Sequence, residues 1–117
     1  MLESAEVELD IFSGRPNPMW RLSDADTTTL LCELDELPEA PPVAIANNLG
    51  YRGFVVHIQH DEGETRLVIQ NGTIQAVRGD STTYYRDSGR ELEQWLLNSG
   101  RPFIDDSIAT VVERDMK

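Results

Sequence analysis

Residues 54–77 read FVVHIQHDEGETRLVIQNGTIQAV, and this run predicts a meander of three antiparallel strands. Its first part, Phe54 to His60, is rich in β-branched and aromatic residues, which are typical of strands. Asn71-Gly72 is the strongest turn signal in the chain, because a type I′ hairpin turn needs two residues that tolerate a positive φ. Thr73 to Val77 is therefore predicted to pair with Thr65 to Gln70.

The segments on either side of the meander predict one more strand and up to three helices. Residues 5–12 alternate between apolar and acidic side chains, which predicts a half-buried fourth strand. Helices are predicted after a capping-box-like Ser23, after a similar Ser88 and over residues 104–112, since apolar residues follow at helical spacing. Gly100 is expected to follow the second helix as its C′ residue.

These elements predict a single α+β domain over residues 1–117. The expected architecture is one antiparallel sheet of about four strands with two or three helices packed on one face. The other face of the sheet would then be left to solvent or to a partner.

The acidic composition restricts the classes of partner. The chain has 21 acidic and 10 basic residues, for a formal net charge of -11. Such a field repels phosphate backbones and anionic membranes, so neither nucleic acid nor membrane is an expected partner, whereas cationic partners would be attracted.

The N-terminus lacks an apolar signal region, and no apolar run approaches the ~18 residues of a membrane span. Cys32 has no second cysteine to pair with. These features predict a cytoplasmic protein.

The segment SGRPNPMW at residues 13–20 is the first candidate site. Each of its two prolines fixes its own φ angle and holds the preceding residue extended, so the loop is stiff for its length. Arg15 is expected to recognise a carboxylate, with Asn17 beside it and Trp20 supplying apolar contact area. The structural alternative is a crossover in which Trp20 fills the core and Arg15 pairs with an acid such as Asp10.

The second candidate is the run Tyr84-Tyr85-Arg86, in which two aromatic residues adjoin an arginine. Tyrosine and arginine are enriched in recognition surfaces, so these three residues form a second predicted binding patch. Ordinary half-burial of amphipathic rings is the structural alternative.

The residues that could support catalysis or metal binding form no coherent set in the sequence. His57 and His60 are expected on opposite faces of one strand, so they would not share a metal ion. Cys32 lies in the middle of a predicted helix among acidic residues, and it is expected to be buried or at the boundary of the core. No catalytic residue, metal ligand or cofactor is assigned.

The expected function is that of a small non-catalytic binding or protein-interaction module, whose ligand is a protein or a small molecule. Two alternatives stay open. One is a hydrolase or isomerase that uses an Asp or Glu with His57 or His60 in a pocket between sheet and helices. The other is an acidic metal-responsive protein. The exposed sheet face, or the strand over residues 5–12 if it lies at an edge, could also support a homodimer.

Overall fold

The computed structural model describes residues 3–12, 14–43, 50–61 and 63–116. Within these ranges, six strands form one antiparallel sheet in the order β2-β1-β3-β4-β5-β6. The strands are β1 Ser4–Leu9, β2 Met19–Arg21, β3 Phe54–His60, β4 Gly63–Gln70, β5 Thr73–Arg78 and β6 Ser81–Arg86. The helices are α1 Asp24–Glu36, α2 Glu91–Gly100 and α3 Asp106–Asp115, with 3₁₀ turns at Ser88–Arg90 and Arg101–Phe103.

The α+β class and the single antiparallel sheet are confirmed, whereas the predicted number of about four strands is wrong. The meander forms as expected, and Asn71 and Gly72 have φ angles of 49° and 79° in its second turn. The two missed strands, β2 and β6, are the edges of the sheet. β2 has only three residues, too few to show an alternation, and β6 is built mostly from polar side chains.

The alternation of side chains gives the sheet one buried and one polar face. On the buried face Val7 lies opposite both Trp20 and Val56, and Val56 lies opposite Leu67. Buried residues from all three helices belong to the same core cluster: Leu30 and Leu34 of α1, Leu92, Leu96 and Leu97 of α2, and Ala109 and Val112 of α3. The helices therefore cover this face, and the opposite face carries mainly polar and charged side chains.

The sequence predicts the N-terminal cap of α1 correctly but not that of α2. The N-cap of α1 is confirmed, because the Ser23 hydroxyl accepts a hydrogen bond of 3.1 Å from the amide of Asp26. The cap predicted at Ser88 is wrong. The carboxylate of Asp87 accepts from the amides of Leu92, at 2.9 Å, and Glu93, at 3.1 Å, across the intervening 3₁₀ turn. Burial of this carboxyl group raises the pKa of Asp87.

Gly100 has a packing role instead of the predicted C′ role. It is the last residue of α2 and has a φ of -95°, in the right-handed helical region. A Cβ atom at this position would lie 2.2 Å from the indole ring of Trp20. The glycine therefore lets the last turn of the helix approach the tryptophan, which explains its presence without a left-handed turn.

A buried ionic network joins α2 to α3 and to the segment before β3. Glu93 is 0% exposed, and Arg90 donates to both of its carboxylate oxygens, at 2.9 and 2.7 Å. The Tyr51 hydroxyl donates to the same carboxylate, and burial together with Glu93 raises the pKa of this phenol. Arg90 also donates to the carbonyl and the carboxylate of Asp115. A buried carboxylate needs such partners, because an unpaired charge in the core is strongly destabilising.

Cys32 is exposed on α1, so the expectation of a buried or boundary thiol is wrong. The buried residues of this helix, Thr27, Leu30 and Leu34, lie along one side, and Cys32 is two residues from both leucines. That spacing places it on the opposite side of an α-helix.

Candidate functional site

The side chain of Asn17 holds the loop that follows β1 in place through hydrogen bonds. Its carbonyl oxygen accepts from the amides of Ile11, at 3.1 Å, and Phe12, at 2.8 Å. Its amide nitrogen donates to the carboxylates of Glu8, at 2.9 Å, and Asp10, at 3.4 Å. The polar atoms of this side chain are thus engaged within the chain, and a ligand would have to compete for them.

Arg15 is the accessible charge of the same loop. It is exposed, and its guanidinium carbon lies 3.7 Å from the centre of the Phe12 ring, a cation–π geometry. The arginine that pairs with Asp10 is Arg52, which approaches the carboxylate to 2.8 Å and also donates to the Phe12 carbonyl. The first residue of the predicted segment, Ser13, lies outside the described residues.

Trp20 lies in the core and is 4% exposed. Its ring makes an edge contact with Phe54, stacks on Phe103 at 6.5 Å and covers Gly100. The indole N–H donates to the Ser99 hydroxyl at 3.0 Å. This placement is the one expected from the structural interpretation of the loop, and a partner cannot reach the indole without displacing these neighbours.

The three residues of the second predicted patch do not share one surface. Tyr85 faces the helices and lies opposite Ile74, whereas the Tyr84 hydroxyl is on the other face and accepts from Gln75 at 3.0 Å. Arg86 is exposed at the end of β6. The half-burial of both rings is what the structural alternative expects.

The segment 38–40 covers part of the β6 edge. The amide of Ala40 donates to the Tyr84 carbonyl at 2.8 Å, and the amide of Arg86 donates to the Pro38 carbonyl at 3.1 Å. The next two residues, Pro41 and Pro42, have no amide hydrogen and cannot continue the ladder. This arrangement limits pairing of β6 with another chain.

A cavity of about 610 Å³ lies between α1 and α2, and we call it the α1–α2 groove. Leu37 and Trp95 contribute apolar surface to it, and both are half-buried. Glu33, Glu36 and Glu91 line it with exposed carboxylates, and Arg86 lies against the same cavity. The sequence did not predict this groove, because residues 33–38 and 86–98 come together only when the two helices pack on the sheet.

A second cavity, of about 600 Å³, lies at the end of the sheet that holds the β3–β4 turn, and we call it the sheet-end cavity. It gathers Glu3, His60, Thr65 and Arg78 among its lining residues. His60 contacts the Glu3 carboxylate through Nδ1, at 2.8 Å, and the Thr65 hydroxyl through Nε2, at 3.0 Å. The pocket considered for an enzyme would use a histidine with an Asp or Glu; this cavity holds His60 with Glu3, and its arginine is Arg78.

His57 lies on the other face of β3 and does not itself line this cavity. Its Nδ1 atom contacts Glu64 at 2.9 Å, and its Nε2 atom lies 3.8 Å from Glu8. Within the part of the chain that the structure describes, no three His, Cys, Asp or Glu side chains converge in a way suited to a metal ion.

Comparisons of the chain with protein-family models, with curated proteins and with solved structures found no match. Among the described helices, which have at most 13 residues, none has the length and apolar character needed to cross a bilayer. The two cavities described above and the surface loop are therefore the features that bear on function, since a fold alone does not specify an activity.

Proposed function

We propose that the chain is a cytoplasmic binding module that holds a basic, amphipathic segment of a partner protein in the α1–α2 groove. One observation supports this proposal above the others: the cavity combines apolar surface from Leu37 and Trp95 with three glutamates. Its volume of about 610 Å³ is also within the range of ligand-binding clefts.

Charge favours this occupant. The carboxylates of Glu33, Glu36 and Glu91 form no ion pair with another described residue. The net charge of -11 steers cations towards the surface and speeds their encounter. Lysine or arginine side chains of a partner would pair with these glutamates, and Arg86 would pair with an acidic group at one end of the same segment.

Apolar contact supplies the rest of the affinity. Leu37 and Trp95 are partly exposed in the groove, and a leucine or an aromatic side chain of the partner would remove their remaining surface from water. An amphipathic helix that lays its apolar face into such a groove, with basic residues beside that face, is a recurrent mode of peptide recognition.

Arg15 is proposed as a second contact for a carboxylate of the same partner. The loop lies at the same end of the sheet as Arg86, because the register links Leu9 through β3, β4 and β5 to Tyr85. Four strand spacings, or roughly 19 Å, separate Leu9 from Tyr85 across the sheet. A segment leaving the groove would therefore need at least about six extended residues to reach the loop.

The test uses a synthetic amphipathic peptide of lysine and leucine, with a glutamate-and-leucine peptide of equal length as comparison. Calorimetry with the double variant Glu33→Gln/Glu36→Gln should show binding about tenfold weaker than wild type, since each exposed ion pair contributes up to about 1 kcal/mol. The matched control Asp35→Asn/Asp80→Asn removes the same charge outside the groove and should change the affinity less than about twofold.

Three outcomes would contradict the proposal. The first is equal weakening by both double variants, which would mean non-specific attraction to an acidic protein. The second is binding of the glutamate-and-leucine peptide as tightly as the basic one. The third is unchanged affinity in Trp95→Ala with the fold intact by circular dichroism.

A further inference from the structure

The sheet-end cavity brings together side chains from three strands and the N-terminal segment. Thr65 is the diagonal neighbour of His60 across β3 and β4, so the two side chains lie on the same face of the sheet. Arg78 of β5 lies directly opposite Thr65 and shares that face. Glu3 immediately precedes β1, whose first residue lies opposite Gln59. The groove between α1 and α2 shares no residue with this cavity.

The contacts form a hydroxyl–imidazole–carboxylate relay. The Glu3 carboxylate, 2.8 Å from Nδ1 of His60, can only accept a hydrogen bond when ionised, so it fixes the tautomer that carries the proton on Nδ1. The lone pair of Nε2 is then directed at the Thr65 hydroxyl, 3.0 Å away. A hydroxyl bound to a base that a third group orients is the arrangement of an activated nucleophile.

Arg78 supplies a positive charge to the same cavity. It is exposed, lines the cavity and forms no ion pair with any other described residue. A guanidinium on the same face as the nucleophile can donate to the oxyanion that develops when a carbonyl is attacked. Thr65 itself is 3% exposed but contributes to the wall of the cavity, so its surroundings are largely desolvated.

We propose that the sheet-end cavity is a hydrolytic site for small carboxylic esters. The Thr65 Oγ atom attacks the ester carbonyl carbon and forms a new C–O bond, while its proton passes to Nε2 of His60. The oxyanion lies beside Arg78, and its collapse breaks the bond to the alcohol, which leaves with the proton from His60. Water then attacks the acyl-threonine, gives its proton to His60 and releases the acid, and Thr65 recovers its hydrogen.

Two further lining residues restrict the substrate class. Asp61 and Glu64 line it with two carboxylates, which would repel an anionic alcohol portion. The preferred substrate is therefore an ester of a small acyl group with an uncharged or cationic alcohol. Glu3 is a positioning residue in this scheme, since it acts through His60.

The test is hydrolysis of p-nitrophenyl acetate followed in the stopped-flow spectrometer and by mass spectrometry. Wild type should give an initial burst of nitrophenolate, and a quenched digest should carry one acetyl group on the peptide that contains Thr65. Thr65→Val, which keeps the shape of the side chain, should lose the burst and the label. His60→Ala should lower the rate of acylation by about a hundredfold.

Two variants separate this chemistry from a structural effect. Thr65→Ser should restore both burst and label, because it returns a hydroxyl to the relay. His57→Ala should leave both unchanged within about twofold, since His57 lies on the opposite face and its partner Glu64 selects only against anionic substrates, whereas p-nitrophenyl acetate is uncharged. Acetylation of His60 or of the N-terminus without acetyl-threonine would overturn the proposal. So would equal rates in wild type and Thr65→Val, or equal losses in His57→Ala and His60→Ala.

Discussion

Replacing Asn17 by alanine should destabilise the fold by about 2–3 kcal/mol. The change leaves the amides of Ile11 and Phe12 without their acceptor, at about 1 kcal/mol for each hydrogen bond. It also removes a charge-assisted hydrogen bond to Glu8, which we count at about 0.5–1 kcal/mol because the site is only partly buried. The contact of 3.4 Å with Asp10 is too long to add much.

Urea unfolding followed by tryptophan fluorescence measures this loss, since Trp20 lies next to the loop and in the core. For a chain of 117 residues the midpoint of thermal unfolding should fall by roughly 10 °C. Arg15→Ala is the matched control, because it truncates an exposed side chain two residues away and should stay within about 0.5 kcal/mol of wild type. A loss below about 0.5 kcal/mol in Asn17→Ala would refute the view that this side chain holds the loop.

Three further predictions concern the core. Gly100→Ala should lower stability by about 1–3 kcal/mol through its clash with Trp20, although the same change ordinarily favours a helix; a gain in a melting experiment would contradict the packing. Glu93→Ala should cost about 3–5 kcal/mol in urea unfolding, because Tyr51 and Arg90 lose their buried partner; a loss below about 1 kcal/mol would contradict the network. Burial raises the pKa of Asp87, so the native state binds the proton of this carboxyl group more tightly than the unfolded chain does. Protonation of Asp87 therefore contributes to stability at low pH, and this contribution is lost as the pH rises. The free energy of unfolding of wild type, relative to that of Asp87→Asn, should therefore fall as the pH is raised from about 4. A difference that stays constant with pH would contradict this linkage.

The sequence predicted the elements whose signals are local. The meander follows from β-branched runs and the Asn71-Gly72 turn, and the start of α1 follows from the spacing of Ser23 and Asp26. Each of these signals acts within a few residues, so no knowledge of the rest of the fold is needed.

Two of the misses depend on contacts between separate parts of the chain, and a third depends on a local turn that the capping pattern does not show. β2 is a strand because Met19–Arg21 pairs with β1. Three residues that follow a proline are too few to show the alternation of a strand. Gly100 was interpreted by its position after a helix, whereas its packing against Trp20 joins residues 80 positions apart. Ser88 matched the pattern of an N-cap, but a 3₁₀ turn at Ser88–Arg90 precedes the helix. The side chain that caps the first amides of α2 is therefore that of Asp87.

The candidate sites were harder to predict than the fold. Arg15 is exposed as expected, but Asn17 and Trp20 have structural contacts that a sequence cannot show. The α1–α2 groove and the sheet-end cavity are each assembled from residue types that are common on any acidic protein. Only their convergence in space distinguishes them from solvated surface.

The most direct test of the binding proposal is a map of amide chemical shifts in ¹⁵N-labelled protein titrated with the lysine-and-leucine peptide. The proposal predicts that the largest changes fall on residues 33–38 and 86–98 and on the indole N–H of Trp95. Changes spread evenly over acidic residues of the sheet and helices, or centred away from α1 and α2, would contradict it.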